Sequence, residues 1–173
     1  FDFPVGYASG FDEGLCLKRT PWRATWDLLA ELIEDGADNA NNRFDVANDL
    51  NRHFSGKAFP FWGHPHGRQY SHLGPKKAVG YGALAERRAA DAAVKGTQPV
   101  WKLLGAGSVG SQALTGIPRL HQLRFRSSFS EQVRVWPFET GWRLPGPEAR
   151  IVIAEMYPTP LADPPPAGEP KDS

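Results

Sequence analysis

The sequence has a single cysteine, Cys16, so it has no pair that could form a disulfide within the chain. It also has no apolar run of about 18 residues, the length that a membrane-spanning helix requires, and no signal peptide. These absences argue against a disulfide-stapled secreted domain and against a membrane protein. We therefore expect a cytoplasmic protein with no membrane partner. Because no histidine lies near Cys16 in the sequence, we interpret its thiol as packed and not as a nucleophile.

The chain also lacks a strong excess of positive or negative charge, since 20 basic and 19 acidic residues leave a net charge of +1. The balance is uneven, however, because residues 57–150 carry 14 basic and 5 acidic groups while both flanking stretches are acidic. A basic middle is typical of a surface that binds phosphates, and an ordinary solvated surface is the alternative. The length of 173 residues and the 40% of hydrophobic residues predict one domain with a buried core.

Apolar residues spaced three or four apart predict helices along the chain. Thr20-Pro21 has the form of a helix start, with a capping residue followed by proline in the first turn. The predicted helices cover about residues 21–36, 43–55 and 76–94, and a fourth, after Gly110, is expected to break at Gly116 and Pro118.

Runs of β-branched and aromatic residues predict strands at 133–138 and 150–157, and residues 1–6 have the composition of a strand end. Residues 56–76 form a long loop in this interpretation, and residues 158–173 form a proline-rich loop or tail. We expect one α/β domain over residues 1–173, with a mixed, mostly parallel sheet flanked by helices.

The stretch from Gly105 to Gly110 has the spacing G-x-G-x-x-G of a dinucleotide-binding turn. Such a turn also needs an unbroken helix after it and an acid that ends the next strand, whereas Glu131 precedes its strand. We therefore expect no dinucleotide. One interpretation is that the glycines let a helix begin close to a neighbouring backbone. The other is that a helix N-terminus holds a phosphate-bearing ligand, with Gly105, Gly107, Ser108 and Gly110 as the binding residues.

Carboxylates lie at the predicted strand ends. Asp2 and Glu155 lie within such ends, and Glu139 follows a third. A carboxylate buried at a sheet edge is costly unless it is paired or binds a metal, and hard cations such as Mg²⁺ or Mn²⁺ prefer oxygen ligands. The alternative is that these acids bind loop backbone or pair with Arg119, Arg143 or Arg150.

The loop at residues 56–76 carries His64, His66 and His72 among glycines, prolines and aromatic residues. These imidazoles could bind zinc, but the absence of a nearby cysteine favours a histidine-bearing loop without metal. The aromatic residues could stack on bases, and packing onto the core is the alternative.

Four stretches, "FDFPVGYASGF", "GAGSVGSQALTGIPRL", "VWPFETG" and "IVIAEMYPTP", resemble a bacterial family, domain-of-unknown-function family number 429 and its relatives. The resemblance implies a ribonuclease H-like fold, whose superfamily includes nucleases that use clustered carboxylates and two divalent metals. It matches Asp2 to the acid of a D-x-P motif, Glu155 to the acid of an E-x-Y-P motif and Asp172 to a K-D segment. The first strand and last helix of that pattern are missing, so we expect a domain truncated at both ends.

These observations lead to a hypothesis of divalent-metal-dependent phosphoryl transfer or hydrolysis on nucleic acid or a nucleotide. Asp2 and Glu155 would be catalytic residues and metal ligands, with Asp172 as a third ligand and Glu139 as an outer acid. Arg119 or Arg143 could hold a phosphate. A non-catalytic nucleotide- or phosphate-binding module at residues 105–110 is the first alternative. An inactive scaffold with ion-paired acids, or a protein related to cofactor biosynthesis, is a further one.

Overall fold

The computed structural model describes residues 2–18, 20–78, 80–82 and 84–157. They form five helices, one 3₁₀ turn and two short strands: α1 (Phe11–Gly14), α2 (Pro21–Leu32), α3 (Arg43–Ser55), α4 (Ala89–Ala93), α5 (Val109–Phe125), the 3₁₀ turn (Ser130–Gln132), β1 (Val133–Val135) and β2 (Ile151–Ile153). The expected mixture of helices and strands is therefore confirmed. The tail predicted at residues 158–173 lies outside the described residues.

Helix α2 begins at Pro21, as its capping pattern predicts, and buries Trp26 and Leu29 completely. It ends at Leu32, four residues before Gly36, because Ile33 has an extended backbone. Helix α3 has the predicted bounds, and Gly56 closes it in the left-handed conformation, with φ at 66°.

Helix α5 passes through Gly116 and Pro118 without a break, so the predicted interruption is wrong. Burial of Ala113, Leu114 and Ile117 outweighs the hydrogen bond that proline removes. Gly116 provides room for the Phe3 ring, since a Cβ there would lie 2.4 Å from a ring carbon.

The sheet of the described residues consists of β1 and β2, which pair in parallel with Val133 opposite Ile151. Both strands are shorter than predicted, and residues 2–6 form no strand. Parallel pairing agrees with the expectation, but a larger sheet and a ribonuclease H-like topology remain predictions.

The helix predicted at residues 76–94 is reduced to α4, so most of that prediction is wrong. Gly80 and Gly82 weaken the helical pattern, and the segment is attached to the core instead. The Tyr81 hydroxyl donates to Pro60 O at 2.7 Å and Trp101 Nε1 donates to Ala85 O at 3.1 Å.

The loop at residues 56–76 is irregular, as predicted, and a buried amide holds it in place. Asn51 on α3 donates to Phe61 O and His72 O and accepts from the Phe61 N–H at 2.8 Å. Phe61 and Leu73 are buried in the core, so packing explains part of the apolar content of this loop. Cys16 is exposed, which contradicts the expectation of a packed thiol. No helix among the described residues is long and apolar enough to cross a membrane.

Candidate functional sites: an acidic cleft and a basic face

Asp2 and Glu155, the two predicted metal ligands, line the same cleft, which has a volume of about 370 Å³. The cleft lies between the start of the described chain, residues 94–98 and the segment that follows β2. Asp91 on α4 is a third carboxylate in its lining. Asp2 and Glu155 therefore line one cleft, and their roles as catalytic residues and metal ligands stay predictions.

Arg88 lies between two of these acids, Glu155 and Asp91. Its Nη1 donates to Glu155 Oε2 at 2.8 Å and its Nη2 donates to Glu155 Oε1. Toward Asp91, Nε donates to Oδ2 at 2.9 Å and Nη2 donates to Oδ1 at 2.7 Å. The Tyr157 hydroxyl also donates to Asp91 Oδ1, at 2.8 Å. We call Arg88, Asp91, Glu155 and Tyr157 the Arg88 cluster.

Burial and charge act in opposite directions within the Arg88 cluster. Burial raises the pKa of Asp91, but the hydrogen bonds and charge of Arg88 outweigh it, so the pKa lies below its usual value. Burial likewise lowers the pKa of Arg88, and the bonds to Glu155 and Asp91 more than reverse that effect. Arg88 and Asp91 are therefore both charged and paired with each other.

The Arg88 cluster also ties the chain together. Glu155 Oε2 accepts the Val5 N–H at 3.1 Å, so a residue beyond β2 holds the N-terminal segment. Arg88 is not among the partners that the sequence predicts for the acids, which are Arg119, Arg143 and Arg150. The i, i+3 spacing of Arg88 and Asp91 is the signal that could have found part of this cluster.

The cleft residues, as arranged, do not fit a Mg²⁺ or Mn²⁺ ion. An ion at Glu155 would compete with Arg88 for both carboxylate oxygens. Among the described residues, no group of three or more His, Cys, Asp or Glu side chains is placed to hold a metal. Asp172, the predicted third ligand, lies outside the described residues. The metal site therefore stays a prediction from the sequence.

Glu139, the predicted outer acid, lies at a different place. It accepts hydrogen bonds from Arg124, at 2.8 Å from Nη2, and from the Val135 N–H at 2.7 Å. Arg119 pairs with Asp35 at 2.6 Å, and Arg143 is exposed. Glu139 and Arg119 thus make ion pairs within the fold. The alternative interpretation expected ion-paired acids, but with other arginines as partners.

The glycine-rich turn packs closely against the preceding backbone. The Gly110 N–H donates to Lys102 O at 3.0 Å, and a Cβ on Gly110 would lie 2.3 Å from Val100 O. Lys102 Nζ donates to Ala106 O, inside the turn. This geometry agrees with the interpretation of close backbone approach. It also means that the Gly110 N–H is not free for a ligand.

A basic face lies near the start of α3, and Arg43 connects it to the first turn of α5. Arg43 Nε donates to Ser111 Oγ at 3.0 Å, and Arg68 Nη1 donates to the Tyr70 hydroxyl at 3.2 Å. The His64 ring packs edge-on against Tyr70, with ring centres 5.3 Å apart. We define the basic face as Arg43, His64, Arg68, Tyr70 and Ser111.

The charges of the basic face repel one another. Partial burial, and then the charge of Arg68, lower the pKa of Arg43. Arg68 forms an ion pair with Asp45, with 3.9 Å between Nη1 and Oδ2, and both side chains are largely exposed. Neutral oxygens of Asn41 and Ser111 accept from Arg43.

No family model matches the chain, and no curated protein or solved structure is detectably similar to it. The resemblance to a ribonuclease H-like family therefore remains an expectation that rests on short motifs.

Proposed function

We propose that the chain is a binding module for a phosphate-bearing ligand, a nucleotide or a strand of nucleic acid, held at the basic face. The observation that carries the proposal is that Arg43 on α3 reaches Ser111 in the first turn of α5, while Arg68 lies 3.9 Å from Asp45, two positions from Arg43. A helix N-terminus carries partial positive charge, so a guanidinium there is unfavourable unless an anion offsets it. A phosphate between the two arginines would supply that anion.

The neighbouring rings favour a nucleotide over inorganic phosphate. Tyr70 and His64 are half-buried, and Arg68 itself is exposed. Bases stack on aromatic rings and on guanidinium planes, with about 1–3 kcal/mol per base. The arginine side chains would provide most of the phosphate contacts in this arrangement.

Hydrolysis is a separate hypothesis and stands outside this proposal. Its supporting observation is that Asp2, Asp91 and Glu155 line one cleft. Because Arg88 covers the oxygens of Asp91 and Glu155, we derive no catalytic step from that cleft.

The test is a binding measurement with matched arginine variants. We would titrate the full chain with ATP by calorimetry and with a fluorescent 12-nucleotide single-stranded DNA by anisotropy, both in EDTA. Arg68→Gln and Arg43→Gln should each weaken binding by roughly tenfold, because a hydrogen bond to a charged group contributes about 1.5–3 kcal/mol. Each should also reduce the salt dependence of DNA binding by about one phosphate contact.

Arg119→Gln is the control, since its side chain has the same exposure as that of Arg68, 58%, and the same charge is removed. Binding of ATP alone would identify a nucleotide site, and binding of DNA alone would identify a strand. The proposal is wrong if neither ligand binds, or if Arg119→Gln weakens binding as much as Arg68→Gln does.

A further inference from the structure

A tryptophan and a lysine share the outer face of the loop at residues 56–76 and the segment beside it. Trp62 and Lys102 lie opposite each other in a parallel bridge. Their neighbours Phe61 and Trp101 are completely buried, and side chains alternate between two faces along an extended chain. Trp62 and Lys102 therefore point away from the core, and both are partly exposed. We call these two residues the Trp62 patch.

The Trp62 patch is connected to the basic face along both segments. Ser111 Oγ, which belongs to the basic face, donates to Leu103 O at 2.6 Å, and Leu103 directly follows Lys102. On the loop, His64 of the basic face is two residues from Trp62, so their Cα atoms lie within about 7 Å of each other. The two groups of side chains thus belong to one continuous surface.

The segments that carry this surface have positive charge and no acids of their own. Residues 50–85 and 92–130 contain no aspartate or glutamate. The ammonium of Lys102 donates to a neutral oxygen, Gln98 Oε1, at 3.2 Å. Its Nζ also lies 5.9 Å from the centre of the Trp62 ring. A positive charge beside an aromatic ring is the combination with which proteins bind the phosphates and bases of single strands.

We propose that the ligand of the basic face is a single strand of nucleic acid, which continues from there across the Trp62 patch. This inference rests on the proposed function and names its ligand. One base stacks on Trp62 and another on the rings of the basic face, while phosphates contact Lys102 and the two arginines of the basic face. A mononucleotide has one base and cannot occupy both ring positions. A duplex keeps its bases stacked on one another, so they cannot stack on these rings.

The first experiment measures binding of a fluorescent 12-nucleotide single-stranded DNA to the full chain by anisotropy. Trp62→Leu should weaken binding by at least about fivefold, because the stacking of one base is lost. Trp142→Leu, which removes a tryptophan that is 84% exposed outside this surface, should leave binding unchanged. Equal effects of the two substitutions would overturn the inference.

A lysine variant tests the same surface without removing a ring. Lys102→Gln should reduce the salt dependence of DNA binding by about one phosphate contact. Lys95→Gln removes the same charge from an exposed residue of the acidic cleft and should leave the salt dependence unchanged. An unchanged salt dependence in Lys102→Gln would show that the strand does not reach the Trp62 patch.

The last experiment separates this inference from the proposed function. Arg68→Gln should weaken the binding of both ATP and the 12-nucleotide strand, whereas Trp62→Leu should weaken only that of the strand. The duplex of the same sequence should bind several-fold more weakly than the strand. Binding of ATP without the strand, or of the duplex as tightly as the strand, would overturn the inference and leave the basic face as a nucleotide or phosphate site. If neither ATP nor DNA binds, the proposed function is wrong as well.

Discussion

The guanidinium of Arg88 donates hydrogen bonds to both carboxylate oxygens of Glu155, 67 positions away in the sequence. Through this pair, α4, the end of β2 and the N-terminal segment are held together. The side chains are largely buried, with exposures of 10% for Arg88 and 14% for Glu155. The acid that the sequence singles out as a metal ligand is therefore half of an ion pair.

Removing the cation of this pair should strongly destabilise the protein. Arg88→Met leaves Asp91 and Glu155 buried without a positively charged partner, and breaking a buried ion pair in this way costs about 3–5 kcal/mol. Arg119→Met, at an exposed pair with Asp35, should cost less than about 1 kcal/mol. Urea unfolding measures both values, and similar small losses in the two variants would contradict a stabilising role for Arg88.

The Arg88 cluster should make stability fall in acid. Because the pKa of Asp91 is lower in the folded protein than in the unfolded chain, its contribution is complete above the unfolded value of about 3.9. That contribution is lost as the pH falls through the folded pKa. The free energy of unfolding of the unsubstituted chain should therefore drop more steeply below about pH 4 than that of Asp91→Asn. Asp49→Asn removes the same charge from an exposed site and serves as the control. Parallel pH curves for Asp91→Asn and the unsubstituted chain would be the contrary result.

The close approach at the glycine-rich turn predicts a difference between two glycines. A Cβ on Gly110 would lie 2.3 Å from the backbone oxygen of Val100, whereas a Cβ on Gly80 would meet nothing within 4 Å. Gly110→Ala should lower the free energy of unfolding by roughly 1–3 kcal/mol, the usual cost of overpacking. Gly80→Ala should leave it nearly unchanged. Thermal unfolding of both variants distinguishes this packing role from a role in ligand contact alone.

The occupied oxygens of Glu155 predict weak or no Mn²⁺ binding in the cleft. In calorimetric titrations with Mn²⁺, the unsubstituted chain and Asp2→Ala should give the same heat. Asp12→Ala, a substitution outside the cleft, is the control for nonspecific binding. A saturable signal that disappears with Asp2→Ala and persists with Asp12→Ala would instead support the metal-dependent hypothesis.

Local sequence patterns correctly predicted those helices and strands that depend on residues close together in the chain. The apolar spacing over residues 43–55, followed by Gly56, correctly predicts α3, and Thr20-Pro21 correctly predicts the start of α2. The β-branched runs locate β1 and β2, although each strand is shorter than its run. Each of these signals depends on neighbouring residues, so the sequence alone determined these elements.

Tertiary structure decided the features that depend on distant residues. Helix α5 continues through Pro118 because its buried face packs against other elements, which outweighs a local helix breaker. The partner of Glu155 could not be read from the sequence, since folding alone brings Arg88 across 67 positions to meet it. Arg68 likewise comes within 3.9 Å of Asp45 on α3 only when the loop at residues 56–76 is held against α3 by Asn51. The sequence thus determined which residues can form local elements and carry charge, whereas packing decided which of those charges meet.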